Sequence, residues 1–264
     1  MQTKTLFALL GTLIAAAGIS LSRYFLGFGW ILLTIIGGLH LVGYVVTAIA
    51  ADARDRTTPV GEMMRGFLIG LNAVSNGVLL FEIVNLFAGT TGGIIVGGTA
   101  GIINLLASIG PLSRFGVYQG LLGYLNWLLP MSWPIVAFGM GFSLFSALLH
   151  GVTAGKVGYL RIEGMRMDWA TGTVFMKGGL VANLNPEDTA FNMGNFSFVD
   201  RVSSNWHIEH EAGHTLNLAA FGFIFHLMGA LDENATPRGE NALAERIADS
   251  NHSSTGGSNI PMWA

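Results

Sequence analysis

Long runs of apolar residues restrict what this chain can fold into more than any other feature. Such runs cover residues 6–21, 25–50, 66–88, 94–109 and 134–152. A helix needs about 20 mostly apolar residues to cross the hydrocarbon core of a bilayer, so these runs predict membrane-spanning helices. Only 11% of the residues are charged, compared with about 25% in ordinary soluble domains. We therefore expect a mainly α-helical, polytopic membrane protein with about five to six membrane-embedded helices.

Two segments of this apolar region need separate interpretation. Residues 6–21 follow Lys4 like the core of a signal peptide, but Arg23 leads at once into the next apolar run. We interpret the two runs as a retained helical hairpin. Residues 118–129 are too few to cross the bilayer. They end close to Trp133, and Trp favours the headgroup level, which predicts an interfacial or re-entrant helix.

The sequence changes character between residues 155 and 205. Apolar and polar residues alternate there, which predicts short strands, and 170–172 fits a hairpin turn. Residues 180–182 and 196–199 are expected to add further strands. The pattern predicts a small antiparallel β-sheet at or outside the membrane surface.

Helical periodicity returns after the predicted sheet, at 207–231, and a short helix is expected at 241–249. Composition then divides the chain into four parts. These are a transmembrane helical domain (1–154), a small β-rich extramembrane segment (155–205), a region with two helices and the predicted metal site (206–250), and an irregular tail (251–264).

The motif His210-Glu-Ala-Gly-His214 carries the chemistry of the chain. On a helix, His210 and His214 are one turn apart and face the same way, so both can bind one zinc ion. Zinc lowers the pKa of a water molecule to about 7, and Glu211 between the two histidines is then the expected general base. The chain has no cysteines, so thiolate ligands are excluded.

A catalytic zinc site needs a third protein ligand. We predict Glu245, on the short helix that follows, with Asp249 accepting the free N–H of a ligand histidine. Asp232 and His226 are alternative ligands. His226 would sit about 120° away from His214 on a continuous helix, which argues against it. His207 precedes the motif at helical spacing, and we expect it to extend the metal site or to shuttle protons.

The two motifs together resemble those of gluzincin-type zinc metallopeptidases, in which H-E-x-x-H is followed by E-x-x-x-D. Glu245 and Asp249 stand at the matching positions. The membrane-bound group related to the CAAX prenyl protease is similar in more detail, with H-E-x-G-H and a later E-x-x-A-D. The motif helix is also similar to that of site-2 intramembrane proteases, although their later L-D-G motif is absent. The resemblance covers residues 205–250 only and implies a zinc peptidase.

An acidic side chain, Glu82, lies inside the third apolar run, near the polar stripe of Asn72, Ser75 and Asn76. An ionisable group at membrane depth is costly and therefore suggests a functional intramembrane site, such as proton coupling in a transporter. The other interpretation, which we favour, is hydrogen bonding that holds the helices together.

These features predict a membrane-embedded zinc-dependent peptidase, with one zinc ion per chain, that cleaves a membrane-associated substrate. The alternative is a non-enzymatic pseudo-protease, an integral membrane subunit or scaffold of a larger complex. The expected partners are the lipid bilayer and a peptide, a membrane-protein substrate or partner subunits. A net charge of −3 without a basic cluster argues against nucleic acid. The expected location is the plasma membrane, the bacterial inner membrane, with several crossings.

Overall fold

The computed structural model describes residues 3–52, 59–109, 112, 115–186 and 189–250. It is mainly helical, as predicted. Seven α-helices are present in this part of the chain: α1 (Thr3–Leu26), α2 (Trp30–Asp52), α3 (Pro59–Leu105), α4 (Gly116–Leu125), α5 (Trp133–Val152), α6 (Ile208–Ala235) and α7 (Leu243–Ser250). The predicted irregular tail, 251–264, lies outside the described residues.

Five of the described helices are long and apolar enough to cross a membrane, namely α1, α2, α3, α5 and α6. Their length and composition agree with the prediction of a polytopic helical protein. Helix α4 has only 10 residues, which is too short to cross. It occupies the segment for which the sequence predicted an interfacial or re-entrant helix.

Glycines bring α1 and α3 into backbone contact. A Cβ atom added to Gly66 would lie 1.8 Å from the carbonyl oxygen of Ala8. Thr12 Oγ1 donates a hydrogen bond to the carbonyl oxygen of Gly66 over 2.9 Å. Small residues permit such close packing between membrane helices, where dispersion contacts and hydrogen bonds replace the hydrophobic effect as the driving force.

Helix α3 is interrupted at Gly89, whose φ of 67° is not helical. The two halves, 59–88 and 90–105, fold back against each other. A Cβ on Gly97 of the second half would lie 2.4 Å from the carbonyl oxygen of Gly77 in the first. The two separate apolar runs predicted at 66–88 and 94–109 agree with this arrangement.

A four-stranded sheet lies between α5 and α6 in the order of the chain. Its strands are β1 (Ile162–Asp168), β2 (Thr173–Gly178), β3 (Ala190–Met193) and β4 (Phe196–Val199), in the order β1-β2-β4-β3. The pairs β1–β2 and β3–β4 are antiparallel, whereas β2 and β4 run parallel. The prediction of a wholly antiparallel sheet is therefore wrong, because two hairpins join side by side through a longer connection.

That connection also corrects a predicted strand. Residues 180–182 were expected to be extended, but Ala182–Leu184 form a 3₁₀ turn. The preceding Gly178 and Gly179 have φ values of 73° and 86°. Glycine adopts such left-handed angles without a steric penalty, and the two together turn the chain away from the strand direction.

The sheet packs along most of the length of α5. Near the start of α5, a Cβ on Gly139 would lie 2.4 Å from the carbonyl oxygen of Met193. Near its end, the backbone N–H of Ile162 donates to His150 Nδ1 over 3.0 Å. The sheet also meets α6, where Thr215 Oγ1 donates to the carbonyl oxygen of Gly194 over 2.6 Å. The sheet therefore fixes α6 relative to α5.

Candidate metal centre

The H-E-x-x-H motif occupies the first two turns of α6, and α7 packs directly across it. A Cβ on Gly213 would lie 2.5 Å from the carbonyl oxygen of Ala248. Because Gly213 has no side chain, the backbones of the two helices touch at this point. The contact places the acidic residues of α7 opposite the histidines of α6.

Three ligand atoms converge at this crossing. His210 Nε2 lies 3.1 Å from His214 Nε2 and 3.1 Å from Glu245 Oε2, and the distance from His214 Nε2 to Glu245 Oε2 is 3.2 Å. Tetrahedral ligands at about 2.0–2.2 Å from a zinc ion stand about 3.3–3.6 Å apart. The predicted group of His210, His214 and Glu245 is thus assembled with nearly the spacing that a metal ion requires, and it could hold one.

Asp249 fixes the tautomer of His210. Its Oδ1 lies 2.8 Å from His210 Nδ1, and because a carboxylate only accepts, this nitrogen carries the proton. The lone pair on Nε2 then points toward a carboxylate oxygen of Glu245. Two acceptors this close need a cation between them, which is a proton in the metal-free protein and a divalent metal ion in the metal-bound one, so the donor set fits a metal ion. This is the arrangement predicted for Asp249.

The carboxyl group of Glu245 carries the negative charge of the centre. Burial by itself would raise its pKa, but the charge of His214 and hydrogen bonds from His210 and His214 hold that pKa well below its usual range. Glu245 is therefore ionised at neutral pH, as a metal ligand must be.

Glu211, the predicted general base, is 3% exposed. Its Oε2 has no hydrogen-bond partner among the described residues. Its side chain lines a cavity of about 370 Å³ that also reaches His210, His214 and Glu245. A buried carboxylate oxygen without a partner is costly, and its position beside the ligand group leaves it available to a water molecule or a substrate.

His207 is not part of the three-ligand group. It precedes α6 in a left-handed conformation, with a φ of 48°. Its Nε2 lies 3.2 Å from Ser203 Oγ. Together with His210 and Asp249, it lines a second cavity, on a different side of the centre.

His226 reaches the first cavity because α6 is not continuous. Gly222 has a φ of 83° and interrupts the helix, so the angle expected from an ideal helix does not apply. The rings of His226 and His214 lie 6.2 Å apart. His226 Nε2 donates to the carbonyl oxygen of Asn192, in β3, over 3.0 Å. It lines the cavity without joining the ligand group.

The interruption of α6 leaves backbone groups without their helical hydrogen-bond partners, and polar side chains of α3 donate to one of them. The carbonyl oxygen of Ala219 accepts from Asn72 Nδ2 at 2.9 Å and from Asn104 Nδ2 at 2.7 Å. The N–H of Phe223 donates to the carbonyl oxygen of Met131 over 2.8 Å. Buried backbone groups that lose their helical partners must be satisfied in this way. The predicted hydrogen-bonding role of the stripe thus has a specific target, which the sequence did not reveal.

Asp232 and Glu82, the other acidic candidates, lie away from the ligand group. Asp232 accepts from Tyr44 Oη at 3.0 Å and from Arg238 Nη1 at 2.7 Å, and so ties the end of α6 to α2. Glu82 forms an ion pair with Arg23 at the end of α1, with Nε donating to its Oε1 over 2.9 Å. Both carboxylates have charged partners that explain their positions.

Comparison with known proteins identifies no relative of this chain. No protein-family model matches the chain. No curated protein and no solved structure matches it either. The site residues and their geometry are therefore the observations on which a function can be argued.

Proposed function

We propose that the protein is a membrane-embedded, zinc-dependent peptidase. The observation that carries this proposal is the triangle of His210 Nε2, His214 Nε2 and Glu245 Oε2, with sides of 3.1–3.2 Å, next to the unpartnered carboxylate of Glu211. A zinc ion held by these three groups supplies Lewis acidity for activating water and polarising a peptide carbonyl.

The residues of the chain then divide the remaining tasks. Glu211 Oε2 accepts a proton from the attacking water molecule and passes it to the nitrogen of the leaving amine. Asp249 holds the proton on His210 Nδ1, which keeps Nε2 available as a ligand. Glu211 and Glu245 are buried, and a low-dielectric environment strengthens their electrostatic interactions.

The apolar helices support a location in the membrane, with several crossings, and we propose the plasma membrane, the bacterial inner membrane. The substrate in this proposal is a peptide segment at or near the bilayer. Strand β3, at the edge of the sheet, lines the cavity with Phe191, Asn192 and Met193. An extended peptide can pair with such an edge.

Metal content is the first test. The detergent-purified protein is expected to contain about one zinc ion per chain, and the variant His210→Ala/His214→Ala is expected to contain none. Absence of zinc from the wild type, even after zinc is added, would favour the scaffold alternative.

Glu211→Gln tests the peptidase step separately. It is expected to retain zinc and to lose nearly all hydrolysis of a peptide that the wild type cleaves, because the amide cannot accept the proton. Glu240→Gln is the matched control, since Glu240 is exposed and lines neither cavity. Equal cleavage by Glu211→Gln and by the wild type would eliminate the proposed mechanism.

A further inference from the structure

The cavity beside the ligand group combines carboxyl groups with buried amide oxygens, and its basic side chains among the described residues are three histidines. Its lining includes three glutamates, Glu211, Glu233 and Glu245, and among the described residues no Lys or Arg lines it. The cavity volume of about 370 Å³ leaves room for a side chain or a chain end beside the metal ligands.

Two buried amides line this cavity with unpartnered oxygens. Asn192 is 8% exposed and Asn217 is 1% exposed, and neither Oδ1 has a hydrogen-bond partner among the described residues. Their orientation is fixed, because each Nδ2 donates to a backbone carbonyl oxygen, that of Glu211 at 2.9 Å and that of Ala244 at 3.0 Å. Buried acceptors left open in this way need donors from a ligand.

Glu233 adds a negative charge to the cavity. It lies on the second half of α6, seven residues after His226, so that the two face the same side of the helix. Its carboxylate is half-buried and forms no ion pair within the described part of the chain. It accepts a hydrogen bond of 3.3 Å from the neutral Asn234 Nδ2, which leaves its charge uncompensated.

We propose that this cavity binds a primary ammonium group of the peptide substrate, with Glu233 as the charge partner and the side-chain oxygens of Asn192 and Asn217 as acceptors. An ammonium group has three N–H donors and no acceptor, which matches the two buried amide oxygens without partners and the uncompensated carboxylate of Glu233. The group is either the free amino terminus of the peptide or a lysine side chain. The identity of the ligand as a peptide rests on the proposed function.

Binding of three matched peptides to the full-length, chelator-treated protein in detergent tests the proposal. The probes are alanine-based hexapeptides with one norleucine: one with a free amino terminus, one acetylated at that terminus, and one acetylated with lysine replacing norleucine. Calorimetry is expected to show at least about tenfold tighter binding of one or both charged peptides than of the neutral one, the effect of one charge-assisted hydrogen bond. Which of the two binds tightly assigns the source of the ammonium group.

Glu233→Gln is expected to abolish this preference, and Glu240→Gln to retain it. Zinc uptake by Glu233→Gln after reloading shows that the variant is folded. Equal affinity for the three peptides, or no binding of any of them, overturns the proposal. Because the measurement is made without metal, its outcome is independent of catalysis. A preference for charged peptides with no cleavage after zinc is restored would retain the ammonium site and remove the peptidase.

Discussion

At the scale of single residues, the two acidic residues of the second motif, Glu245-x-x-x-Asp249, have different roles. Glu245 points its carboxylate at the metal-binding triangle, whereas Asp249 contacts only the outer nitrogen of His210, over 2.8 Å. Ala248 between them lies against Gly213. The spacing of the motif therefore follows from the geometry of one helical turn laid across α6, with the small residue at the crossing point.

Asp249→Asn is expected to weaken zinc binding by roughly 10- to 100-fold, the usual cost of losing the carboxylate behind a ligand histidine. The amide is a weaker acceptor and allows the other tautomer of His210. Competition with a chromophoric zinc chelator measures the affinity, and Glu240→Gln provides the comparison. An affinity within twofold of the wild type would show that Asp249 does not orient the ligand.

Zinc binding is also expected to depend on pH. Both histidines must be neutral to bind, so protons compete with zinc for their ring nitrogens. Affinity should therefore fall as the pH is lowered from 7.5 to 5.5, whereas Glu245, with its lowered pKa, stays ionised over this range. The same chelator competition, repeated at several pH values, gives the dependence of zinc affinity on pH. A flat profile would argue against histidine ligands.

At the scale of secondary-structure elements, the interruption of α6 is the feature that shapes the site. The helix carries the motif before Gly222 and His226 after it. The φ of 83° at Gly222 is held by partners distant in sequence, since an added Cβ would lie 2.6 Å from Asn72 Oδ1. Two structural units, the α3 hairpin and α6, are thus joined by one backbone irregularity.

Gly222→Ala is expected to lower the thermal unfolding temperature in detergent and to weaken zinc retention. The φ of 83° and ψ of 174° at this position define a conformation almost confined to glycine, which costs other residues roughly 1–3 kcal/mol, and the contact with Asn72 adds to this cost. Gly98→Ala is the matched control, because Gly98 is also in an apolar helix but has no atom within 4 Å of an added Cβ. Equal behaviour of the two variants would mean that the interruption is unimportant for the site.

The elements themselves were largely predictable, because apolar runs and motif spacing are local properties. The short helix expected at 241–249 is α7, Leu243–Ser250, and the turn expected at 170–172 joins β1 to β2. The parallel pairing of β2 with β4 was not predictable from alternation, which gives the faces of strands but not their direction. The interruption at Gly222 was also missed, because glycine is common in membrane helices and its angle is set by Asn72, 150 positions earlier.

The candidate site, like the fold, was only partly predictable from the sequence. His210, His214 and Glu245 follow from motifs and were brought together as expected. Asn192, Asn217 and Glu233 carry no motif, and they reach the cavity only through the folding of β3 and α6. Their signal is two amide oxygens without hydrogen-bond partners and a carboxylate without an ion pair among the described residues, which exists in the folded structure and not in the sequence.

At the scale of the whole molecule, large apolar side chains cover the outer faces of the candidate spans. Leu144, in the middle of α5, is 64% exposed, and Ile95, in α3, is 62% exposed. Soluble proteins rarely expose contiguous apolar patches larger than a few hundred Å², whereas lipid is a favourable environment for them.

The absence of cysteine from the sequence allows this surface to be probed by single substitutions. Leu144→Cys is expected to resist N-ethylmaleimide in intact membranes and to react after denaturation, because a thiol in lipid does not ionise. Val202→Cys, beyond the sheet and 54% exposed, is expected to react readily in both conditions. Equal rates for the two thiols in membranes would mean that α5 is not surrounded by lipid.

The crossing of Gly213 and Ala248 has a consequence for the lifetime of the protein. Because one ion would be shared between α6 and α7, it acts as a reversible cross-link that holds the last described helix in place. A free zinc concentration 100 times the dissociation constant would add about 2.7 kcal/mol to the stability of the docked state. The supply of metal in the cell would then set how often α7 detaches and exposes its chain to proteolysis, so that turnover and activity respond to the same ion.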